Sequence, residues 1–278
     1  MIRAGLYDDR AADGAGDGGP GYVVRRIPKD RQPVLDRLAG ASRRFQVHTL
    51  IELDVTAPKA RLSQSEPHVS WTGFVLATLA RAVALHPEVN ARRAGNRILT
   101  FDRVDIGATV ERQWEGRTIL DVVALRDADR TSCAEISRSL HAAKYGPGQS
   151  HRQSGVTAQL VKLPGPIRRA AIRVAATRPR IAATFGPAVG VTSLGMFSSA
   201  WGWAIPLAPL TVIATVGAVM DRPAVHGGRI AVRPMLPLTL TFDHAVVDGA
   251  PAARFTETFR GLVETAAVFD EIAVPSER

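Results

Sequence analysis

The sequence predicts an α/β fold: a two-layer sandwich in which helices pack on a mixed β-sheet. Three observations predict it. Segments of strand and helix period interleave along the chain. Several strands follow one another across short turns, which a pure βαβ array would not give. No internal repeat or long linker divides the 278 residues, which suffice for one large core.

The elements follow in order. In "RRFQVHTLIELDVTA" (43–57), Val47, Thr49, Ile51, Leu53 and Val55 alternate as in a strand. "SWTGFVLATLARAVALHPEVN" reads as a helix capped by Ser70, with Val75, Leu79, Ala82 and Val83 on one face and Pro87 after its end. "RILTFDRVDIGATVERQ" and "RTILDVVALRDA" read as two strands around the turn "WEGR". "TSCAEISRSLHAAKYG" returns to helix and ends at Gly146; a further helix is expected over Pro166–Ala176. Strands are expected in "AVGVTSLG", "LTVIATVGAV" and "GRIAVRPMLPLTLTFDH". The last helix is expected after Gly249, with Pro251 in its first turn and an inner stripe of Ala252, Phe255, Phe259, Leu262, Val263 and Ala266. Residues 1–20, rich in Gly, Asp and Ala, are expected to be a disordered tail, 21–273 the domain, and 274–278 a short fraying tail.

Composition narrows the function. Cys133 is the single cysteine, which excludes an internal disulfide and a cysteine-built metal site; the cytoplasm is the simplest compartment. The first twenty residues lack the apolar stretch of a signal peptide. The longest apolar run, Trp203–Met220, is broken by two prolines and rich in β-branched residues, so it reads as a buried strand, not a membrane span. The formal charge is +9, but only four of the 35 basic residues are lysines. The densest cluster is Arg168, Arg169, Arg173, Arg178 and Arg180, either a solvated face or a site for a phosphate-bearing ligand. No zinc-finger spacing or aromatic RNA-binding signature accompanies it, so no nucleic-acid partner is expected.

Chemistry concentrates in "LTLTFDHAVVDGAPAARF" (238–255). Strict alternation puts Leu238, Leu240, Phe242 and His244 on one face of a strand. A histidine among apolar residues is partly desolvated, which favours the neutral ring that a general base requires. Asp248 falls where the chain turns into a helix, where a carboxylate can accept amide hydrogen bonds of the first turn. Spacing alone leaves two readings open: a satisfied core histidine beside a capping aspartate, or the base of an enzyme.

"FDHAVVDGAPAARF" resembles the His-x-x-x-Asp-Gly motif of the chloramphenicol acetyltransferase and dihydrolipoamide acyltransferase superfamily. Other segments are similar in the order that family requires: "HTLIELDVT", "PHVSWTGFVLATLARAVALHPEVNAR", "VDIGATV" with "VVALRDADRTSCAEIS", and "GVTSLGMFSSAWGWAIPLAPLTVIATVGAV". The resemblance covers most of residues 22–270. It implies a chloramphenicol-acetyltransferase-like fold and a homotrimer with sites at subunit interfaces. It also implies direct acyl transfer from acyl-coenzyme A to a thiol, hydroxyl or amine acceptor, or to a lipoyl group on another chain. His244 would be the general base and the Thr192 hydroxyl the oxyanion donor from the facing subunit, with Ser193 the alternative one register away. Asp248 would hold the loop through an arginine, Arg43 or Arg44, and Gly249 would make the tight turn. No metal and no membrane partner are implied.

The sequence also departs from the lipoyl-bearing branch. No room for a lipoyl domain precedes residue 21, no lipoylation motif is visible, and the chain ends "EIAVPSER" instead of in an apolar anchor. Ala245 stands where that branch usually has arginine and follows the chloramphenicol acetyltransferase pattern. The segment "KLPGPIRRAAIRVAATRPRIAATFG" resembles neither branch. These features imply a free-standing acyltransferase without lipoate of its own. Two other classes are a catalytically silent homologue that binds or assembles an acyl-transfer complex, and a basic module for polyanions, which salt-dependent retention on heparin would reveal.

Overall fold

In a computed structural model, Ile27 and residues 31–114, 117–146, 163–195 and 200–270 are described. Both expected tails lie outside them, as do Glu115 and Gly116 of the "WEGR" turn and residues 196–199 of the loop after "VTSLG". The helices are α1 (Gln32–Ala41), α2 (Thr56–Ser63), α3 (Trp71–Leu85), α4 (Cys133–Tyr145), α5 (Gly165–Ala176), α6 (Pro179–Ala182) and α7 (Gly249–Thr265). The strands are β1 (Gln46–Asp54), β2 (Ala91–Ala94), β3 (Arg97–Thr100), β4 (Ile106–Trp114), β5 (Arg117–Leu125), β6 (Val189–Ser193), β7 (Val212–Val216), β8 (Met220–His226) and β9 (Arg229–Asp243).

The main sheet runs β1-β9-β7-β6-β4-β5, with β8 paired to the first half of β9. β6 lies parallel to β4 and β7; the other pairs are antiparallel, so the sheet is mixed as expected. β2 and β3 form a separate hairpin. One face of the sheet carries Leu53, Ile106, Ala108, Val189, Val191, Val212, Ala214, Leu238, Leu240 and Phe242, all buried in the core with residues of α3, α4 and α7. α3 is apolar nearly all round, and ten of its fifteen residues are buried. That is the pattern of a helix enclosed on every side, wider than the single expected stripe. Ser70 caps it by accepting from the Gly73 amide at 3.1 Å. Ser132 and Glu135 form a reciprocal capping box on α4. The stripe of α7 is buried apart from the half-buried Leu262, and Phe255 stands edge-on to Phe242 at 5.9 Å.

The second face is covered by an irregular segment, 200–210. Trp203 Nε1 donates to the Ile51 carbonyl at 2.9 Å, Gln46 Nε2 donates to the Ala208 carbonyl at 2.7 Å, and Leu210 lies over Gly190. The apolar run from Trp203 is therefore only partly a strand. Its prolines keep 203–210 out of the ladder, and β7 begins at Val212. With both faces covered, Met235–Asp243 of β9 are buried without interruption. β8 and the exposed first half of β9 form an arm closed by Gly227 and Gly228, whose positive φ angles of 56° and 77° make a two-residue hairpin turn. The sequence reading missed α1, α2, β2, α6 and β8, and it took as one strand the segment "RILTFDRVDIGATVERQ", which is divided between β3 of the small hairpin and β4 of the main sheet.

Arg168, one of the clustered arginines, turns inward instead of facing a ligand. It is 4% exposed and pairs with Asp36, which ties α5 to α1. Among the described residues no helix is long and apolar enough to cross a membrane.

Candidate active site

β9 ends at Asp243, one residue short of the histidine. His244 still extends the ladder, because its amide donates to the Phe45 carbonyl at 2.6 Å. The chain then turns: the Val246 and Val247 amides both donate to the Asp243 carbonyl, at 2.9 and 3.0 Å. The Asp243 carboxylate accepts from the Ala245 amide at 3.2 Å and pairs with Arg44. Asp243 is 3% exposed, so this pair is a buried anchor immediately before His244.

The arrangement corrects three expectations. His244 is not buried with Phe242; its side chain is 44% exposed, because residues 243–247 turn there, with the Val246 and Val247 amides on the Asp243 carbonyl. Asp248 is not the arginine-paired carboxylate. It is 85% exposed and lies 3.9 Å from His244 Nδ1, beyond hydrogen-bond reach. It stands at the N-cap of α7 but makes no side-chain cap bond. Arg44 lies two residues before Gln46, which is opposite Asp243 in the β1–β9 register, so the guanidinium meets Asp243 instead. Gly249 opens α7 with no positive φ, and a Cβ there would touch nothing within 4 Å, so the turn in this chain does not require glycine.

His244 lines an open cavity of about 710 Å³ with Phe45, Gln46, Val47, Arg93 and Ala245. Arg92, beside Arg93 on β2, points the other way into the protein. Its guanidinium donates to the carbonyls of Ala182, Gly186 and Pro187 at 2.7–2.8 Å. Burial, and after it the charge of Arg44, pushes Arg92 down to about 10. Neither Asp243 nor Arg93 was singled out from the sequence. Parity puts Asp243 on the face opposite Phe242, and its meeting with Arg44 there depends on the β1–β9 register.

Thr192 and Ser193 end β6 and point to opposite faces of the sheet. Ser193 is level with Val216 on the core side, and Thr192 with Thr215 on the second face. Thr215 is in turn opposite Thr239, so three threonines cross adjacent strands. The Thr215 and Thr239 hydroxyls are buried and have no hydrogen-bond partner among the described residues. Thr192 is thus two strands from β9 and level with a residue five positions before His244. By strand spacing this is about 10 Å across and about 17 Å along the sheet, so one chain does not bring the two side chains together. Gly195, after the "VTSLG" leucine, passes so close to the Gly217 carbonyl that a Cβ would collide with it. Among the described residues no group of three or more His, Cys, Asp or Glu could hold a metal ion.

This fold is shared with solved dihydrolipoamide acetyltransferases. A probable dihydrolipoamide acetyltransferase from Listeria monocytogenes superposes with a TM-score of 0.66, covering 92% of this chain and 100% of that one at 20% identity. Residues 39–146 and 157–269 match the 2-oxoacid dehydrogenases acyltransferase (catalytic domain) family, and the chain belongs to it. The lipoamide acyltransferase component of the branched-chain alpha-keto acid dehydrogenase complex of Pseudomonas aeruginosa is 26% identical over 95% of this chain and 58% of its own length. The dihydrolipoyllysine-residue acetyltransferase component of the acetoin cleaving system of Bacillus subtilis is 29% identical over 69% of this chain and 41% of its own. The chain thus spans about half the length of the curated relatives it matches.

Proposed function

We propose that the chain is a coenzyme A-dependent acyltransferase in which His244 is the general base. An acceptor thiol, hydroxyl or amine gives its proton to the imidazole as it attacks the thioester carbonyl of the acyl donor. The tetrahedral intermediate collapses, the bond to the coenzyme A sulfur breaks, and the leaving thiolate recovers the proton from the imidazolium. No acyl-enzyme forms. The names of the relatives favour a dihydrolipoyl thiol as acceptor. Thr192 of a neighbouring subunit in a homotrimer supplies the oxyanion donor, and His244 and Thr192 of the same chain are too far apart to share a site.

The observation that carries this reading is a solvent-accessible His244 on a turn anchored by the Arg44–Asp243 pair and opening into a cavity. The test is thiol release from a panel of acyl-coenzyme A donors with dihydrolipoamide as acceptor. His244→Ala is expected to lower turnover by about 10²-fold or more, with the circular dichroism spectrum and oligomeric mass unchanged. Undiminished turnover in that variant would remove His244 from the mechanism.

A further inference from the structure

β2 places Arg92 and Arg93 on opposite sides of one short strand. Arg92 is consumed by three backbone carbonyls. Arg93 is exposed, and no carboxylate among the described residues pairs with it. Of the six residues lining the His244 cavity, Arg93 is the only one with a permanent charge. The nearby Asp243 is already taken by Arg44, and Asp248 is not among the lining residues. The fixed charge of the cavity lining is therefore positive and, among the described residues, uncompensated. An arginine so placed presents a planar fork of donors that matches a carboxylate.

We propose that Arg93 recognises a carboxylate on the substrate that His244 acts on, either on the acyl group or on the acceptor. The inference rests on His244 being the base. The phosphates of coenzyme A are separated from its thiol by the whole pantetheine arm. An anion held at Arg93 while the thioester lies at His244 therefore belongs to one of the reacting partners. The carboxylate takes the guanidinium hydrogen bonds and orients its carrier, and no bond is made or broken there.

Two matched pairs distinguish the sources: succinyl- against butyryl-coenzyme A as donor, and dihydrolipoate against dihydrolipoamide as acceptor. Arg93→Gln is expected to lower the ratio of kcat/KM for the anionic over the neutral member by about tenfold or more in one pair, and Arg93→Lys to keep part of it. The pair whose ratio moves identifies the carrier of the carboxylate. Ratios within about twofold of wild type in both pairs overturn the inference and leave the acyltransferase reading standing. If wild-type protein turns over none of the four, the acyltransferase reading fails by itself. Calorimetry with succinate and dihydrolipoate on His244→Ala protein then decides: binding lost on adding Arg93→Gln supports the anion site, and binding retained overturns it.

Discussion

Asp243 holds the turn from both of its ends. Its carbonyl accepts from Val246 and Val247, and its carboxylate from Ala245 and Arg44. Removing Arg44 would leave a carboxylate of 3% exposure without its cation, and an abandoned buried charge costs more than a pair contributes. Arg44→Ala is therefore expected to lower stability by about 3 kcal/mol, read from urea unfolding, and to lower acyl transfer with it. Asp243→Asn keeps the shape of the side chain while removing its charge, and is expected to cost less in unfolding than Arg44→Ala. A sequence reading centred on His244 and Asp248 passed over this residue because spacing reveals which groups lie near one another along the chain. Which carboxylate meets an arginine 199 positions earlier depends on the β1–β9 register.

Among the elements, α3 and α4 meet closely where Gly73 faces Ser137. The Ser137 hydroxyl accepts from the Ser70 amide at 3.1 Å, and a Cβ on Gly73 would fall on that hydroxyl. Gly73→Ala should gain helix propensity in an isolated helix. Here it is expected to cost about 1–3 kcal/mol, because the overlap is with a short side chain already held in a hydrogen bond. Thermal unfolding measures it, and a stabilised variant would mean that the helices can slide apart. At the other end of the core, Asp54 joins β1 to α2 and β9. Burial raises its carboxyl, but hydrogen bonds from the Thr56 hydroxyl and amide and from Arg233 outweigh it and hold the group below its usual value. A carboxylate depressed on folding contributes stability that is complete above the unfolded value and is lost as pH falls through the folded one. Asp54→Asn is therefore expected to lower the melting temperature at neutral pH, with the gap to wild type closing as the medium is acidified below the ordinary carboxylate range.

At the scale of the whole molecule, the sheet separates His244 from Thr192, the two groups to which the proposed mechanism gives the base and the oxyanion donor. A homotrimer with each site built from two chains makes a direct prediction. His244→Ala and Thr192→Ala proteins should each be weak alone and should recover about a quarter of wild-type activity after mixing and subunit exchange, because random assortment restores that share of interfaces. Mass by light scattering checks the trimer. No recovery between two variants that demonstrably exchange subunits would confine the site to one chain.

Much was legible from residues alone. The alternation of Leu238, Leu240 and Phe242, the cap at Ser70 and the stripe of α7 are local patterns, and the structure contains each of them. The order of the motif segments carried the family, because a series of short matches in sequence constrains far more than any one of them. Only the tertiary structure decided that Arg44 belongs to Asp243, that Asp248 is exposed beside His244 with no arginine partner among the described residues, and that Arg93 shares the cavity of His244. Local periodicity determines which face a side chain takes within its own strand. Which strands lie side by side, and in what register, follows from burying one common core, and that brings together residues that no spacing in the chain relates.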